Sequence, residues 1–296
     1  MRSIWLCADD YGISPGVNIA IRDLVVRGRI NATSALVVGG SCHRAEAMAL
    51  ETLNRDKPRV AIGLHVALTA PFRPTSPGFL PLADERFMSL GRTVAHAFLR
   101  RFIPDALVRE IAAQLSMFVQ VFGRPPDYID GHHHVQLLPQ VRDTVLQVAK
   151  EQVPNVWLRQ CGRAGRLAAR LGDYKAFFLD ALSAAFRRRA AALGLRTNPG
   201  FAGAYAFEDD ADFAALFPRF LDGLPNGGVV MCHPGFVDDE LRGLDSLTTL
   251  REREYAFLAG EMFAPVLAAH DVVLARPQSA RPGVTAAPGD DCPWVR

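Results

Sequence analysis

Ile4-Trp5-Leu6-Cys7-Ala8-Asp9-Asp10 begins as an apolar run and stops at two adjacent carboxylates. A short apolar run bounded by polar residues reads as a parallel strand buried on both faces. The pattern recurs at Val60 to Leu64, which delivers His65, and at Tyr128-Ile129, which delivers Asp130 ahead of His132-His133-His134. All three clusters should therefore fall at strand ends. In parallel β/α folds, strand ends on one face are where catalytic groups collect.

The intervening segments carry helix signals. Ser14 is placed to cap a helix with Pro15 in its first turn, and Val17, Ala20, Ile21, Leu24 and Val25 keep helical spacing until Gly28. Ser34 to Val38 reads as a second strand, residues 42 to 53 as an alanine-rich helix, and Val60 to Leu64 as the third strand. This alternation argues for parallel strands joined by right-handed crossovers. Further helices are expected near 105–122, from Pro139, near 174–193, near 210–221 and as one long helix near 247–269. Val156 to Leu158, Gly228 to Met231 and Val272 to Leu274 read as strands. The expectation is an α/β fold, a single (β/α) barrel-like domain over residues 1–275 with about seven or eight parallel strands. The Pro-, Gly- and Ala-rich segment 276–296 is expected to be a loose tail. Residues 69–91, with prolines at 71, 74, 77 and 81, interrupt the rhythm and read either as a lid or as a surface insertion.

Bulk composition narrows the function. Over 296 residues, 33 Lys and Arg are offset by 31 Asp and Glu, and the arginines are scattered, so nucleic acid is not an expected partner. The five cysteines show no CxxC spacing, which fits reduced thiols in a cytoplasmic protein. No apolar stretch approaches the roughly 20 residues needed to span a bilayer, so no membrane partner is expected either.

Two carboxylates and several imidazoles at separate strand ends supply what a divalent metal and a general base require. Of Asp9 and Asp10, one could bind a metal while the other faces the attacking water, although a helix start would also favour aspartates. Three consecutive histidines diverge, so at most one or two could face one ion, with Asp130 able to orient one of them. His65 alone reads more often as a hydrogen-bonded core residue than as a ligand. His233, at the end of Val229-Val230-Met231, is a candidate proton donor. Arg159, after Val156-Trp157-Leu158, could hold a carboxylate or contact substrate. Tyr11, Phe72, Phe79 and Phe87 could stack on sugar faces or simply pack.

At these residues the chain resembles the YdjC-like carbohydrate deacetylases, which remove N-acetyl groups from chito-oligosaccharides and related sugars. The resemblance rests on Ala8-Asp9-Asp10-Tyr11-Gly12, Gly63-Leu64-His65, Asp130-Gly131-His132-His133-His134-Val135 and Cys232-His233-Pro234-Gly235, in order. Gln136 stands where the family's third motif often has another histidine. The resemblance implies a (β/α) barrel-like fold, an N-acetylated sugar or oligosaccharide as substrate, and magnesium or zinc held by Asp10, His65 and His132. It further implies Asp9 as base, with Asp10 less securely excluded from that role, His233 as acid, and a homodimer. A phosphoester or other amide hydrolase on the same barrel, and a non-catalytic sugar-binding protein, are the competing readings.

Overall fold

The computed structural model describes residues 1–163 and 174–275. They form one α/β domain in which a curled half-barrel of parallel strands is surrounded by helices. The strands are β1 (Arg2–Tyr11), β2 (Ala32–Ala35), β3 (Ala61–Val66), β4 (Tyr128–Gly131), β5 (Trp157–Leu158), β6 (Arg196–Thr197), β7 (Phe201–Ala202), β8 (Val229–Cys232) and β9 (Val272–Leu274). Eight of them run in the order β6-β5-β4-β3-β2-β1-β8-β7. The ninth, β9, pairs with the first residues of β1, below β2. Asn31 joins that corner: its side chain accepts from Leu6 N–H at 2.7 Å and donates to the carbonyls of Ile4 and Ala275 at 3.0 and 2.7 Å.

The helices are α1 (Pro15–Val26), α2 (Arg44–Thr52), α3 (Leu90–Phe98), α4 (Pro104–Phe122), α5 (Pro139–Gln152), α6 (Tyr174–Ala192), α7 (Phe213–Leu221), α8 (Asp239–Leu244), α9 (Thr249–Ala259) and α10 (Phe263–Ala269). Ser14 caps α1 as its sequence suggests, and α4 ends on Gly123 in the left-handed conformation. The expected long helix near 247–269 is instead two, α9 and α10, with Gly260 between them in extended backbone. Residues 197–206 hold β7, too short for its periodicity to be read. The expected loose tail lies outside the described residues.

The long insertion is packed down. Phe72, Phe79 and Phe87 are buried, and Glu110 on α4 accepts from the backbone of Thr75 and Ser76 at 3.0 and 2.7 Å. These rings are packing groups, with Phe79 and Phe87 edge to face at 5.3 Å.

The strand period of two sets the barrel interior. Cys7 and Asp9 on β1, Ser34 on β2, Gly63 and His65 on β3, and Tyr128 and Asp130 on β4 all face inward. Tyr128 stacks on Trp157 with ring centroids 4.4 Å apart, and its hydroxyl lies 3.0 Å from both Cys7 Sγ and Ser34 Oγ. Gly63 is the space this ring needs: a Cβ there would lie 2.3–2.5 Å from three of its carbons. Gly63→Ala should therefore destabilise the fold by about 1–3 kcal/mol, the usual range for overpacking. Urea unfolding measures it, and unchanged stability would show that Tyr128 is not locked.

Candidate active site

The end of β1 is where the backbone makes the site. Ala8 pairs with Thr33 and Tyr11 with Ala35, so β1 has one residue more than β2 over the same interval. This bulge puts Asp10 at φ +69°, a left-handed conformation that aspartate tolerates better than most residues. A regular strand would send Asp9 and Asp10 to opposite faces. The bulge turns both carboxylates toward the barrel mouth.

Asp10 Oδ1 lies 3.4 Å from His65 Nε2 and 3.0 Å from His132 Nδ1. One donor atom from each of the three residues lies within 4.8 Å of the others. Ligands bonded to one cation at about 2.0–2.2 Å sit roughly 3.0–3.5 Å apart, so the donor set fits a shared ion. His65 Nδ1 is 2.6 Å from Asp130 Oδ1, which leaves Nε2 turned toward Asp10. A carboxylate behind a ligating imidazole fixes its tautomer and orientation in this way. Asp130 is held in turn by Ser34 Oγ at 2.5 Å and by Arg159 at 2.8 Å.

Charge explains the arrangement. Burial would push the carboxyls of Asp9 and Asp10 up, but Arg159 and His65 beside Asp9, and His132 and Arg251 beside Asp10, hold both well below the usual range. Burial would likewise lower His65, yet Asp130 and Asp9 outweigh it and raise the imidazole to about 10. The cluster attracts positive charge beyond what its two arginines supply.

Arg159 is fully buried and grips Asp9 with two nitrogens, at 2.6 and 2.7 Å. It holds a carboxylate, one of the two roles expected of it. Tyr11, also fully buried, donates to the Glu46 carbonyl at 2.8 Å. Of the three consecutive histidines, only His132 joins the ligand set. Exposed His133 meets Thr69 Oγ1 at 3.0 Å, and half-buried His134 meets Cys161 Sγ at 3.4 Å. Both have positive φ, and the His133 ring lies against that of His132 with centroids 3.9 Å apart. Gln136, in place of a further histidine, donates to the Arg159 carbonyl at 3.1 Å.

His233 follows β8 with its Nδ1 buried and unpartnered. Burial lowers this imidazole to about 4 against the pull of Asp10 and Asp9.

Two residues with no sequence-level role stand beside these groups. Arg251, fully buried on α9, donates through Nη2 to Asp10 Oδ2 and Asp245 Oδ2, both at 2.6 Å. Glu254, one turn further and fully buried, accepts from His233 N–H at 2.5 Å and Tyr205 O–H at 2.7 Å. Burial raises its carboxyl to about 7, against the lowering effect of those two bonds. Leu250, Arg251, Glu254 and Leu258 share the buried stripe of α9, and charged residues on such a stripe are the signal that could have exposed both.

An Asp-His-His triplet at the strand ends of a parallel half-barrel defines a site that could hold one cation. The chain matches the model of the YdjC-like protein family over residues 3–269, and it belongs to that family. Among solved structures, it is similar to an Enterococcus faecalis V583 protein named provisionally for cellobiose-phosphate cleavage. That match has 23% identity and a TM-score of 0.71, covering 93% of this chain and 97% of the other. A looser likeness joins it to a family 4 acetyl xylan esterase from Clostridium thermocellum, at 11% identity and a TM-score of 0.45, covering 93% and 87%. No helix among the described residues is long and apolar enough to cross a membrane.

The pH dependence of stability follows from two imidazoles. His134, lowered by burial to about 3, and His233, at about 4, bind protons less readily folded than unfolded, where histidine titrates near 6.5. Their contribution is complete above that value and is lost as pH falls through the folded values. Glu254, raised by burial to about 7, acts in the opposite sense over part of this range, so the test is a difference: wild type should lose melting temperature relative to His134→Gln as pH falls from 6.5 toward 4. A difference that stays constant across that interval would contradict the burial of the His134 ring.

Proposed function

We propose that this protein is a metal-dependent carbohydrate deacetylase, removing N-acetyl groups from amino sugars or oligosaccharides. The observation that carries the reading is the convergence of Asp10, His65 and His132 beside Asp9 and His233. Membership of the YdjC-like family supports it. The three ligands would hold a divalent cation, zinc or magnesium, and two imidazoles in the set favour zinc. Bound there, it would polarise the acetyl carbonyl and acidify a water molecule.

The chain's own groups then divide the proton work. Asp9, ionised and held by two bonds from Arg159, takes the proton of the attacking water. His233 passes a proton to the departing sugar nitrogen, having gained it during turnover. Asp9 and Asp10 both raise its affinity for that proton. Asp130 keeps the His65 ring in the tautomer that presents Nε2. Because both guanidinium groups at the site are bonded to carboxylates, a neutral acetamide suits it better than a phosphate dianion.

Acetate release from N-acetylglucosamine oligosaccharides tests the reading. Chelation should abolish release and zinc or magnesium should restore it, while Asp9→Asn should lose about 10²–10⁴-fold, as for a positioned base. Release that survives chelation would remove the metal from the mechanism. Sugar binding without any release would make the protein a binding module.

A further inference from the structure

Helix α9 reaches the turn His233-Pro234-Gly235 at two points. His233 N–H donates to Glu254 Oε2 at 2.5 Å, and Gly235 N–H donates to the Arg251 carbonyl at 3.1 Å. Proline has no N–H, so both backbone donors of this turn are bonded to one helix. Glu254 Oε1 accepts from Tyr205, whose ring lies 4.3 Å from that of Phe207. Phe207 in turn meets the His233 imidazole edge to face at 5.3 Å. A single buried carboxylate thus touches both the backbone that carries the imidazole and the aromatic wall that confines it. Burying such a group is unfavourable unless its oxygens are satisfied, and a leucine at this position would avoid the penalty. The carboxylate does what leucine could not: it binds two donors at a fixed separation. Arg251, three residues earlier on the same face, fixes Asp10.

We propose that Glu254 is a positioning residue, setting the proton-donating imidazole of His233 through the backbone of its turn. Helix α9 then fixes the spacing between that imidazole and the ligand Asp10. The activity arm of the test rests on the deacetylase reading, whereas the exchange arm does not.

The test uses the metal-loaded full chain with Glu254→Leu and Tyr205→Phe. Leucine is of similar size but accepts no hydrogen bond, so both His233 N–H and the Tyr205 hydroxyl lose this partner. Two substrates are compared, an N-acetylglucosamine oligosaccharide and an aryl acetate. The amine leaving group needs a proton, whereas the phenolate leaves without one. Glu254→Leu should lower kcat about 10–100-fold on the amide, less than the full range for loss of an acid, with KM nearly unchanged. On the aryl acetate the loss should stay below about threefold, since no acid is needed there. Tyr205→Phe should show the same selectivity with a smaller loss, and it decides the matter if the Leu variant does not fold. Equal losses on both substrates, or a change in KM alone, would overturn the proposal. Independently, amide hydrogen exchange over residues 231–236 should accelerate in Glu254→Leu, and unchanged exchange would also overturn it. If wild type releases acetate from neither substrate while exchange accelerates, the deacetylase reading fails and the positioning role stands.

Discussion

Three carboxylates, those of Asp9, Asp10 and Asp130, are buried together at the mouth of the half-barrel. Nothing else in the structure constrains its surroundings so strongly. A buried charge without a partner is strongly destabilising, and removing one member of a buried pair commonly costs about 3–5 kcal/mol. Arg159 serves Asp9 and Asp130 together, and Arg251 serves Asp10 and Asp245. The guanidinium groups leave part of the negative charge uncompensated, and the raised proton affinity of His65 expresses that remainder. A cation held by Asp10, His65 and His132 would compensate it with chemistry that a proton cannot supply.

Backbone irregularity makes this concentration of charge possible. The bulge in β1, with Asp10 at positive φ, aims two successive carboxylates at one volume. His133 and His134 also have positive φ, and of these three successive imidazoles His132 is the one grouped with Asp10 and His65. Residues in sparsely populated conformations commonly gather at functional sites, where the surrounding structure must hold them in place. Here the holding is done by the side chains of Ser34, Asp130, Arg159 and Arg251.

Much of this was legible in the chain. Apolar runs ending at Asp9, His65, Asp130 and His233 gave both the parallel sheet and the positions of its functional ends, because strand burial and strand-end polarity are local patterns. Arg159 showed its location but not its partner. Its contact with Asp9 spans 150 positions and no local period records it. Tyr11 lies beside the acidic pair in sequence, yet the geometry at the end of β1 turns its ring toward Glu46. Arg251 and Glu254 were hidden for a different reason. Arg251-Glu252-Arg253-Glu254 reads as a solvated charged helix, and only the register of Leu250 and Leu258 shows which two of the four residues point inward. The break between α9 and α10 has no proline to announce it.

The shared cation site can be measured directly by calorimetric titration of zinc into chelator-stripped protein, comparing wild type, His65→Ala and His134→Gln. One equivalent bound per chain in wild type and in His134→Gln, with that binding lost in His65→Ala, is the expected result. Binding of the same stoichiometry and affinity in His65→Ala would contradict a cation held by Asp10, His65 and His132.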